Sequence, residues 1–470
     1  MPTSPAPHDV AIIGGGVVGC ALARAFTLAG RKTVLLERAA DVLDGASKAN
    51  SAILHTGFDA PPGTLESELV ARGHAAYRAI HVRLGLPLID CGALVLAWTP
   101  EEEARLPALI ETARANGVGG LTLLDRAALL DLEPGLSPSV RAGFRVPGEA
   151  IVDAWSAPHA YLAQAVANGA TVRTGCEVTG GAFDGRWRLE TTTGPVMAGV
   201  VINAAGLYGD RLDELLLGER CFEIRPRKGQ FVLFDKPAAS LASHILLPVP
   251  TATTKGVVVC RTAYGNLLVG PTAEEQPERD RADLTPEALE ALRDRGAEIL
   301  PGLAGEEVTA VYAGLRPATE SKDYRLIARP DRHHVTVGGI RSTGLSAALG
   351  LADHVRDLCD AWPDLPAREP LMDPIWPAMP IISEAGPRDW QTPGNGGIVC
   401  HCEMVTRREI EAALDDPLVP PRSLAGLKRR TRVTMGRCQG FYCGATLARI
   451  TDGRFGERVE PDRLGTPVDG

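Results

Sequence analysis

The stretch Asp9–Gly19, DVAIIGGGVVG, decides the fold of the N-terminal part of the chain. Its first residues predict a short buried strand, which runs into a G-x-G-x-x-G motif at Gly14, Gly16 and Gly19. A predicted helix with apolar residues at helical spacing follows. A second strand then ends in Glu37, twenty-three residues beyond the first glycine of the motif. This order of elements is a βαβ unit of the kind that binds a dinucleotide.

Each residue type in this unit has a physical role. Gly14 permits the tight turn, Gly16 lets backbone N–H groups approach a pyrophosphate, and Gly19 lets the helix lie close to the sheet. Glu37 is placed to accept a hydrogen bond from a ribose hydroxyl. A glycine-rich turn without a ligand is the alternative in a chain with 51 glycines. The strand before the motif and the helix after it favour the dinucleotide.

Four cysteines near the C-terminus form a C-x-C pair, Cys400 and Cys402, and a C-x4-C pair, Cys438 and Cys443. Four thiolates are the full complement of a 2Fe-2S cluster or a structural zinc. The one-residue spacing of the first pair is uncommon in zinc sites, which favours the iron-sulfur cluster; zinc and a disulfide stay as alternatives. His401 lies inside the first pair, but the second pair contains no histidine, which argues against a Rieske centre.

The approach to the third cysteine is basic. Nearby cations would stabilise the extra electron of a reduced, anionic cluster. The alternative for such a run of basic residues is a solvated surface. The five cations are Lys428, Arg429, Arg430, Arg432 and Arg437.

Length and composition set further limits. A chain of 470 residues predicts two or three domains, and 45% hydrophobic with 23% charged residues is typical of an ordinary folded protein. The formal charge of −9 argues against a general affinity for nucleic acid or anionic membranes. No stretch stays apolar for the roughly eighteen residues that a membrane span requires. We therefore expect a cytoplasmic location, and we interpret the six cysteines outside the C-terminal group as reduced core thiols.

Three later segments bear on the identity of the dinucleotide. Residues 200–206, VVINAAG, predict a strand whose small residues let the backbone pass close to a ligand. Residues 313–317, AGLRP, and 338–346, GGIRSTGLS, predict a strand-turn-helix near the end of the main fold, and the second segment leads into an apolar helix that starts near Ser346. The N-terminus of that helix is suited to stabilise the negative charge of a reduced flavin. A second G-x-G-x-x-G is absent from the sequence, so no separate NADH domain is predicted.

These segments together resemble the D-amino-acid-oxidase-type FAD oxidoreductases, over roughly residues 8–355. Residues 47–59, SKANSAILHTGFD, are similar to the flavin-face loop of glycerol-3-phosphate dehydrogenases and oxidases and of L-2-hydroxyglutarate dehydrogenases. Residues 254–256, TKG, followed by 270–272, GPT, resemble the glycerol-3-phosphate enzymes more closely.

The C-terminal sequence is similar to the bacterioferritin-associated-ferredoxin-type (BFD-like) domain fused to the large subunit of anaerobic glycerol-3-phosphate dehydrogenases. The two segments that carry this resemblance are VCHCEMVTRREI and RRTRVTMGRCQGFYCG. The resemblance implies that the four cysteines hold a 2Fe-2S cluster.

The fold that follows is α/β, with a Rossmann-type FAD-binding domain, an inserted α+β substrate domain and a small C-terminal helical 2Fe-2S-binding domain. The FAD-binding domain is expected to be discontinuous, with residues 1–80, 150–215 and 310–355, and the substrate domain to comprise residues 81–149 and 216–309. A proline-rich linker is expected at 356–395, the 2Fe-2S domain at 396–455 and a tail at 456–470.

The motif and the resemblance also imply the functional residues. For catalysis, His55 is expected to be the base that accepts the hydroxyl proton of an alcohol substrate. Arg316 and Lys255 are expected to hold an anionic group of the same substrate. Structural roles for all three are the alternatives. The expected FAD contacts are Gly14, Gly16, Gly19, Glu37, Arg38, Ser47, Asn50, Ser51, Val178, Ala205, Gly206, Gly314, Gly339, Ser342, Gly344 and Leu345.

The sequence thus predicts an FAD-dependent dehydrogenase for a small anionic secondary alcohol, with sn-glycerol 3-phosphate as the first choice. Electrons are expected to pass through the 2Fe-2S cluster to an electron-acceptor protein or a quinone-linked subunit, through which the chain would be peripheral to a membrane. The alternatives are oxidation of L-2-hydroxyglutarate or of an amino or imino acid of the opine type, and a redox subunit of a larger complex.

Overall fold

The computed structural model describes residues 7–250 and 256–455. The chain divides into two compact units, residues 1–386 and 387–470. Among the described residues, no helix combines the length and the hydropathy needed to cross a bilayer.

The first unit contains twenty of the described strands and eight of the α-helices. Its strands are β1 (His8–Ile13), β2 (Thr33–Leu36), β3 (Ile53–Leu54), β4 (Leu88–Ile89), β5 (Ala93–Ala97), β6 (Thr122–Asp125), β7 (Ala142–Val146), β8 (Ala150–Val152), β9 (Thr171–Arg173), β10 (Val178–Phe183), β11 (Trp187–Thr191), β12 (Val196–Asn203), β13 (Arg225–Phe234), β14 (Ile245–Pro248), β15 (Val258–Arg261), β16 (Leu267–Gly270), β17 (Glu274–Glu275), β18 (Val308–Ala318), β19 (Arg325–Arg329) and β20 (His334–Gly338). Its helices are α1 (Val17–Leu28), α2 (Leu65–Ile80), α3 (Pro100–Ala115), α4 (Arg126–Leu132), α5 (Ser156–Ala167), α6 (Gly209–Leu217), α7 (Pro286–Ile299) and α8 (Gly344–Asp360).

An eight-stranded sheet forms the dinucleotide half of this unit. Its main path is β10-β11-β12-β1-β2-β9, with β20 paired to β12 and β19 to β20. Strand β1 pairs in parallel with both β2 and β12, and its residues 10–13 are buried. A continuous apolar run of this kind suits a parallel strand that is covered on both faces. Helix α1 packs against α5 and α8 on this sheet.

A nine-stranded sheet forms the other half, in the order β17-β13-β16-β15-β14-β5-β7-β6 with β18 paired to β13. Apolar side chains fill both of its faces. One core includes Phe144, Ile245 and Phe231, and the other includes Phe234 and Leu246. A three-stranded sheet, β3-β8-β4, completes the unit. The α/β fold with an inserted second domain is confirmed.

Two segments lie differently from the expected boundaries. Strand β18 pairs along its length with β13, so residues 308–318 belong to the second sheet, although a boundary at 310 assigned most of them to the FAD-binding domain. Helix α8 continues to Asp360, into the expected linker. The segment after α8, up to residue 386, is part of the first unit. Within it, Leu371 and Met379 donate backbone hydrogen bonds to the carbonyls of Leu28 and Leu84. Long-range pairing of this kind leaves no local mark in the sequence.

The second unit is small and mainly helical. It contains a hairpin, β21 (Ile398–Cys400) and β22 (Val405–Thr406), and three helices, α9 (Arg407–Leu414), α10 (Leu424–Thr431) and α11 (Gly444–Thr451). Helix α9 begins at a capping box, in which Thr406 and Glu409 satisfy each other's backbone N–H groups. Its core joins Val405, Ile410 and Leu427 to two of the cysteines, Cys400 and Cys443.

Candidate active site and cluster site

The glycine-rich turn is shaped by contacts that exclude side chains. Gly14 has φ +113°, and a Cβ atom there would lie 2.4 Å from the carbonyl oxygen of Ala204. A Cβ atom at Gly19 would lie 1.8 Å from the carbonyl oxygen of Gly14, so α1 can approach β1 this closely only with glycine at position 19. The backbone N–H of Val17 donates to Ser47 Oγ at 3.0 Å, which fixes the start of the helix.

Glu37 closes the turn from the end of β2. Its carboxylate accepts hydrogen bonds from the backbone N–H of Gly15 at 2.6 Å and of Ala39 at 2.8 Å. Burial raises the pKa of this carboxyl group, and the two backbone donors act in the opposite direction. Glu37 therefore organises the glycine loop in addition to facing the cavity beside it.

A cavity of about 980 Å³ runs along the carboxyl ends of β1 and β12 and reaches the second sheet. Gly19 is the one expected FAD contact that does not line it, and its role is the close packing described above. The expected contacts that do line it are Gly14, Gly16, Glu37, Arg38, Ser47, Asn50, Ser51, Val178, Ala205, Gly206, Gly314, Gly339, Ser342, Gly344 and Leu345.

The cavity has the features that a bound flavin dinucleotide needs. The N-terminal residues of α1 and of α8 both line it, so two helix N-termini present backbone N–H groups to it. One suits a pyrophosphate and the other the charge that reduction places on a flavin. Glycines at the walls leave room for close contact with a planar ring. The residues present therefore fit FAD.

Part of the cavity wall is built by contacts that the sequence did not predict. The guanidinium carbon of Arg38 lies 3.9 Å from the ring centroid of Tyr208, and its Nη2 lies 3.0 Å from Asp280 Oδ1. The Tyr208 hydroxyl donates to Asp280 Oδ2 at 2.6 Å. Arg38 and Tyr208 come from the dinucleotide half and Asp280 follows β17, so both halves of the unit build this wall.

Arg316 lies on β18 in the cavity wall with its charge largely buried. It donates to three backbone carbonyls, those of Thr272 at 2.6 Å, Lys228 at 3.1 Å and Arg227 at 3.4 Å. Burial, with the charges of Arg227 and Arg341, lowers the pKa of the guanidinium to about 10. Within the described residues Arg316 pairs with no carboxylate, so an anion in the cavity would supply the missing counter-charge.

Arg341 is a second cation in the wall, and it was not among the residues expected from the sequence. Its Nη2 donates to the carbonyl of Lys322 and lies 3.6 Å from Glu66 Oε2. Glu66 is buried and accepts a hydrogen bond from Thr343 at 2.8 Å. The expected third cation, Lys255, lies outside the described residues, as does most of the TKG segment.

His55 lies next to this cavity but is not part of its wall. Its backbone N–H donates to Ser346 Oγ at 2.8 Å, which ties the loop to the first turn of α8. Its Nδ1 is 2.8 Å from Oε2 of Glu149. Glu149 is fully buried, and its other oxygen accepts from the N–H and hydroxyl of Thr56 at 2.6 and 2.8 Å. The sequence did not predict this carboxylate, because it lies 94 residues away in the chain.

The four C-terminal cysteines are free thiols gathered in the second unit. Contacts run across the two sequence pairs, because the thiol of Cys402 interacts with that of Cys438 and the thiol of Cys443 with that of Cys400. The described residues contain no group of three or more His, Cys, Asp or Glu side chains already arranged to hold a metal ion. Four converging thiols are nevertheless the donor set of a 2Fe-2S cluster, and they fit that group.

A buried cation lies close to this thiol group. Arg432 is fully buried and forms an ion pair with Glu403, the residue after Cys402. Arg430, which belongs to the basic run seen in the sequence, is also buried and donates to the carbonyls of Val419 and Gly426. Part of that run is therefore internal structure, because Arg429, Arg430 and Arg432 are buried, whereas Arg437 is exposed.

Comparisons with known proteins match one family model to each of the two units. The family model described as FAD dependent oxidoreductase matches residues 9–358, and the one described as BFD-like [2Fe-2S] binding domain matches residues 398–452. A protein of Caloramator mitchellensis named glycerol 3-phosphate dehydrogenase is 32% identical, with 98% of each chain covered. One subunit of the anaerobic glycerol-3-phosphate dehydrogenase of Escherichia coli (strain K12) is 28% identical, over 94% of this chain and 87% of that protein.

A solved structure gives the same result for the first unit. The FAD-bound L-alpha-glycerophosphate oxidase of Mycoplasma pneumoniae superposes with a TM-score of 0.74 at 28% identity, over 80% of this chain and all of that one. The fold and cavity thus define a flavin-dependent redox enzyme. The chain belongs to the FAD-dependent oxidoreductase family and carries a C-terminal BFD-like 2Fe-2S-binding domain. The predicted family, enzyme class and two cofactors are confirmed.

Proposed function

We propose that the protein is a dehydrogenase that oxidises sn-glycerol 3-phosphate to dihydroxyacetone phosphate and passes the electrons through the 2Fe-2S cluster to a partner acceptor. The observation that carries this proposal is the largely buried guanidinium of Arg316 in the cavity wall, which donates to three backbone carbonyls and pairs with no carboxylate among the described residues. The names of the relatives support the substrate.

In this proposal Arg316 binds the phosphate and thereby orients the carbon that carries the reacting hydroxyl. Arg341 adds positive charge on the same side of the cavity, and Lys255 is assigned to the same anion. FAD, when bound, supplies the acceptor for the hydrogen and the electron pair that leave the substrate carbon. The glycine loop, Glu37 and the other expected contacts that line the cavity are assigned to hold it.

His55 takes the hydroxyl proton. Glu149 accepts a hydrogen bond from Nδ1–H, which fixes the tautomer in which Nε2 is free to accept a proton from the substrate. The negative charge of Glu149 then stabilises the imidazolium that forms. The hydrogen bond from the backbone N–H of His55 to Ser346 holds this loop against the helix whose N-terminus lines the cavity.

Replacing Arg316 tests the anion site. With Arg316→Gln we expect KM for glycerol 3-phosphate to rise about 10- to 100-fold, since a charge-assisted hydrogen-bonded contact is lost. Turnover of uncharged glycerol, measured anaerobically with a dye acceptor, should stay unchanged. Arg329→Gln, which removes an exposed arginine paired with Glu219, is the matched control. An unchanged KM for every anionic substrate tested would disprove the anion-binding role of Arg316.

A panel of substrates separates the other candidate functions. The panel includes L-2-hydroxyglutarate, amino acids and opine-type imino acids, and each is scored by bleaching of the flavin band without oxygen. Preference for one of these would replace glycerol 3-phosphate as the substrate. A chain that reduces dye with none of them would instead be a redox subunit.

We place the protein in the cytoplasm, with any membrane association made through a partner. The support is that the E. coli relative is named as one subunit of an anaerobic enzyme and that the 2Fe-2S domain is an electron-transfer module. Co-purification of the tagged chain from its native cells, followed by fractionation of membranes, tests this placement.

A further inference from the structure

Two aromatic side chains next to the cluster ligands face solvent. Phe441 is 83% exposed and Tyr442 is 78% exposed, and their ring centroids lie 5.3 Å apart with the planes at 87°. Both stand between Cys438 and Cys443 in the chain. Exposure of two neighbouring large aromatic rings loses the free energy that their burial would give, so a functional contact is the natural explanation.

The backbone of the same loop is tied to a cluster ligand. The backbone N–H of Phe441 donates to the carbonyl oxygen of Cys438 at 2.9 Å. Cys443, in contrast, is buried at the start of α11. The turn between these two cluster ligands thus leaves both rings in solvent, so the aromatic pair lies at the surface of the ligand loop.

The sequence around the pair is positively charged. Helix α11 continues the exposed surface with Ala445, Ala448 and Arg449, which share one face at helical spacing. Residues 417–451 contain seven Lys or Arg and no Asp or Glu, in a chain whose formal charge is −9. Some of these cations are buried, but Arg437 and Arg449 are exposed.

We propose that Phe441 and Tyr442 form the docking contact for an acidic one-electron carrier protein, which binds over the Cys438 loop and takes electrons from the cluster. The basic rim provides charge complementarity to an acidic carrier, and a small aromatic centre is typical of transient redox complexes. A membrane surface fits less well, because the adjoining helix face presents alanines and no large apolar side chain that would insert.

The proposal rests on the proposed function for its source of electrons. Oxidation of one alcohol releases two electrons and two protons. Two carrier molecules each accept one electron, and both protons pass to solvent, so the reaction balances with two oxidised carriers consumed per substrate.

The test uses the full-length enzyme loaded with FAD and iron, and two haem proteins as probes. The soluble domain of cytochrome b5 is the acidic probe, and cytochrome c is the basic one. For wild type we expect faster reduction of cytochrome b5 at low salt, with a rate that falls as NaCl is added. With Phe441→Ser/Tyr442→Ser we expect the second-order rate constant to fall about tenfold, and binding of the oxidised probe in calorimetry to weaken equally.

Three controls isolate docking. Iron content, the EPR signal of the reduced cluster and substrate-driven bleaching should match wild type in the aromatic variant. Met372→Ser, which removes an exposed apolar side chain from the first unit, should leave the cytochrome b5 rate unchanged. Arg437→Gln/Arg449→Gln should lower the rate at low salt and remove its salt dependence.

Several outcomes overturn the proposal. An unchanged cytochrome b5 rate in the aromatic variant, or equal preference for cytochrome c, rules out the acidic-carrier contact. Slower reduction of the cluster by substrate would assign the pair to electron entry. Loss of binding to phosphatidylserine vesicles with normal carrier reduction would make it a membrane contact. If glycerol 3-phosphate fails as substrate, dithionite-reduced enzyme still reports on docking, so failure of the proposed function is distinguished from failure of this proposal.

Discussion

At the scale of single residues, the described part of the first unit contains two Glu–His pairs whose carboxylates are buried and whose surroundings differ. Glu149 holds His55 beside the cavity, whereas Glu133 holds His244, with its Oε1 2.6 Å from Nδ1 and two further backbone N–H donors. His55 is also tied through Ser346 to the helix whose N-terminus lines the cavity. The second pair thus provides a structural control for the first, with the same chemistry and burial.

Glu149→Gln should lower kcat for the oxidation about 10- to 100-fold, because the amide keeps the shape but does not stabilise an imidazolium. Steady-state kinetics measure this loss of kcat. Glu133→Gln should lower the melting temperature and leave kcat unchanged. A Glu149→Gln variant that loses stability but keeps the wild-type kcat would show that the pair is structural.

At the scale of elements, a buried polar network joins β12, β20 and α6. Asp213 accepts from Asn203 at 2.7 Å and from Thr336 at 2.8 and 2.9 Å, and His334 Nε2 lies 3.9 Å from it. Burial raises the pKa of Asp213 from 3.8 to about 6 and lowers that of His334 from 6.5 to about 4. Hydrogen bonds to Asp213 thus connect a helix to two strands in the interior of the dinucleotide sheet.

The two shifts act on stability in opposite directions. The folded state keeps the Asp213 proton that the unfolded state loses, so this contribution to stability falls as pH rises from about 4 to about 6. The folded state keeps His334 neutral where the unfolded state gains a proton, so that contribution falls as pH drops from 6.5 to about 4. Because the shifts are similar in size, the two slopes largely cancel in the wild type.

Asp213→Asn should therefore expose the histidine contribution. Its melting temperature is expected to fall more steeply than that of wild type on acidification from pH 6.5 to about 4, as followed by scanning calorimetry. His334→Gln should show the reverse, a stability that improves as pH falls from about 6 to about 4. Parallel curves for wild type and both variants would mean that neither group titrates as the burial indicates.

At the scale of the whole molecule, the two kinds of redox chemistry belong to different compact units of one chain. The cavity and both large sheets lie in the first unit, and the four thiols lie in the second. Each unit has its own apolar core, so loss of the cluster should not unfold the flavin site. A flavin that transferred electrons directly to oxygen would not require the second unit.

Cys438→Ser tests this division of labour. Anaerobically purified wild type should hold about two irons per chain, and the variant close to none, since one cluster ligand is lost. The variant should keep its FAD and its bleaching by glycerol 3-phosphate, while its reduction of one-electron acceptors falls. Cys221→Ser, a change in the first unit, should retain the iron. Zinc in place of iron in the wild type would contradict the electron-transfer role.

Sequence spacing predicted the parts of both sites that depend on neighbouring residues. Gly14 and Gly19 were recognisable because a tight turn and a close helix admit no Cβ, and Glu37 because it ends the adjacent strand. The cysteine pairs were recognisable because thiolates at short spacing are metal ligands. The roles assigned to His55 and Arg316 came from the resemblance, and they remain predictions.

The sequence by itself thus determined the family, the dinucleotide turn and the identity of the thiol donors. The tertiary structure alone decided that Glu149 meets His55, that Asp280 meets Arg38 and Tyr208, that β18 joins the second sheet, and that Cys402 lies beside Cys438. The physical reason is the separation along the chain between the residues that make each contact. Turns, caps and chelating pairs are encoded by spacing along the chain, whereas contacts between distant residues depend on how the sheets and helices pack.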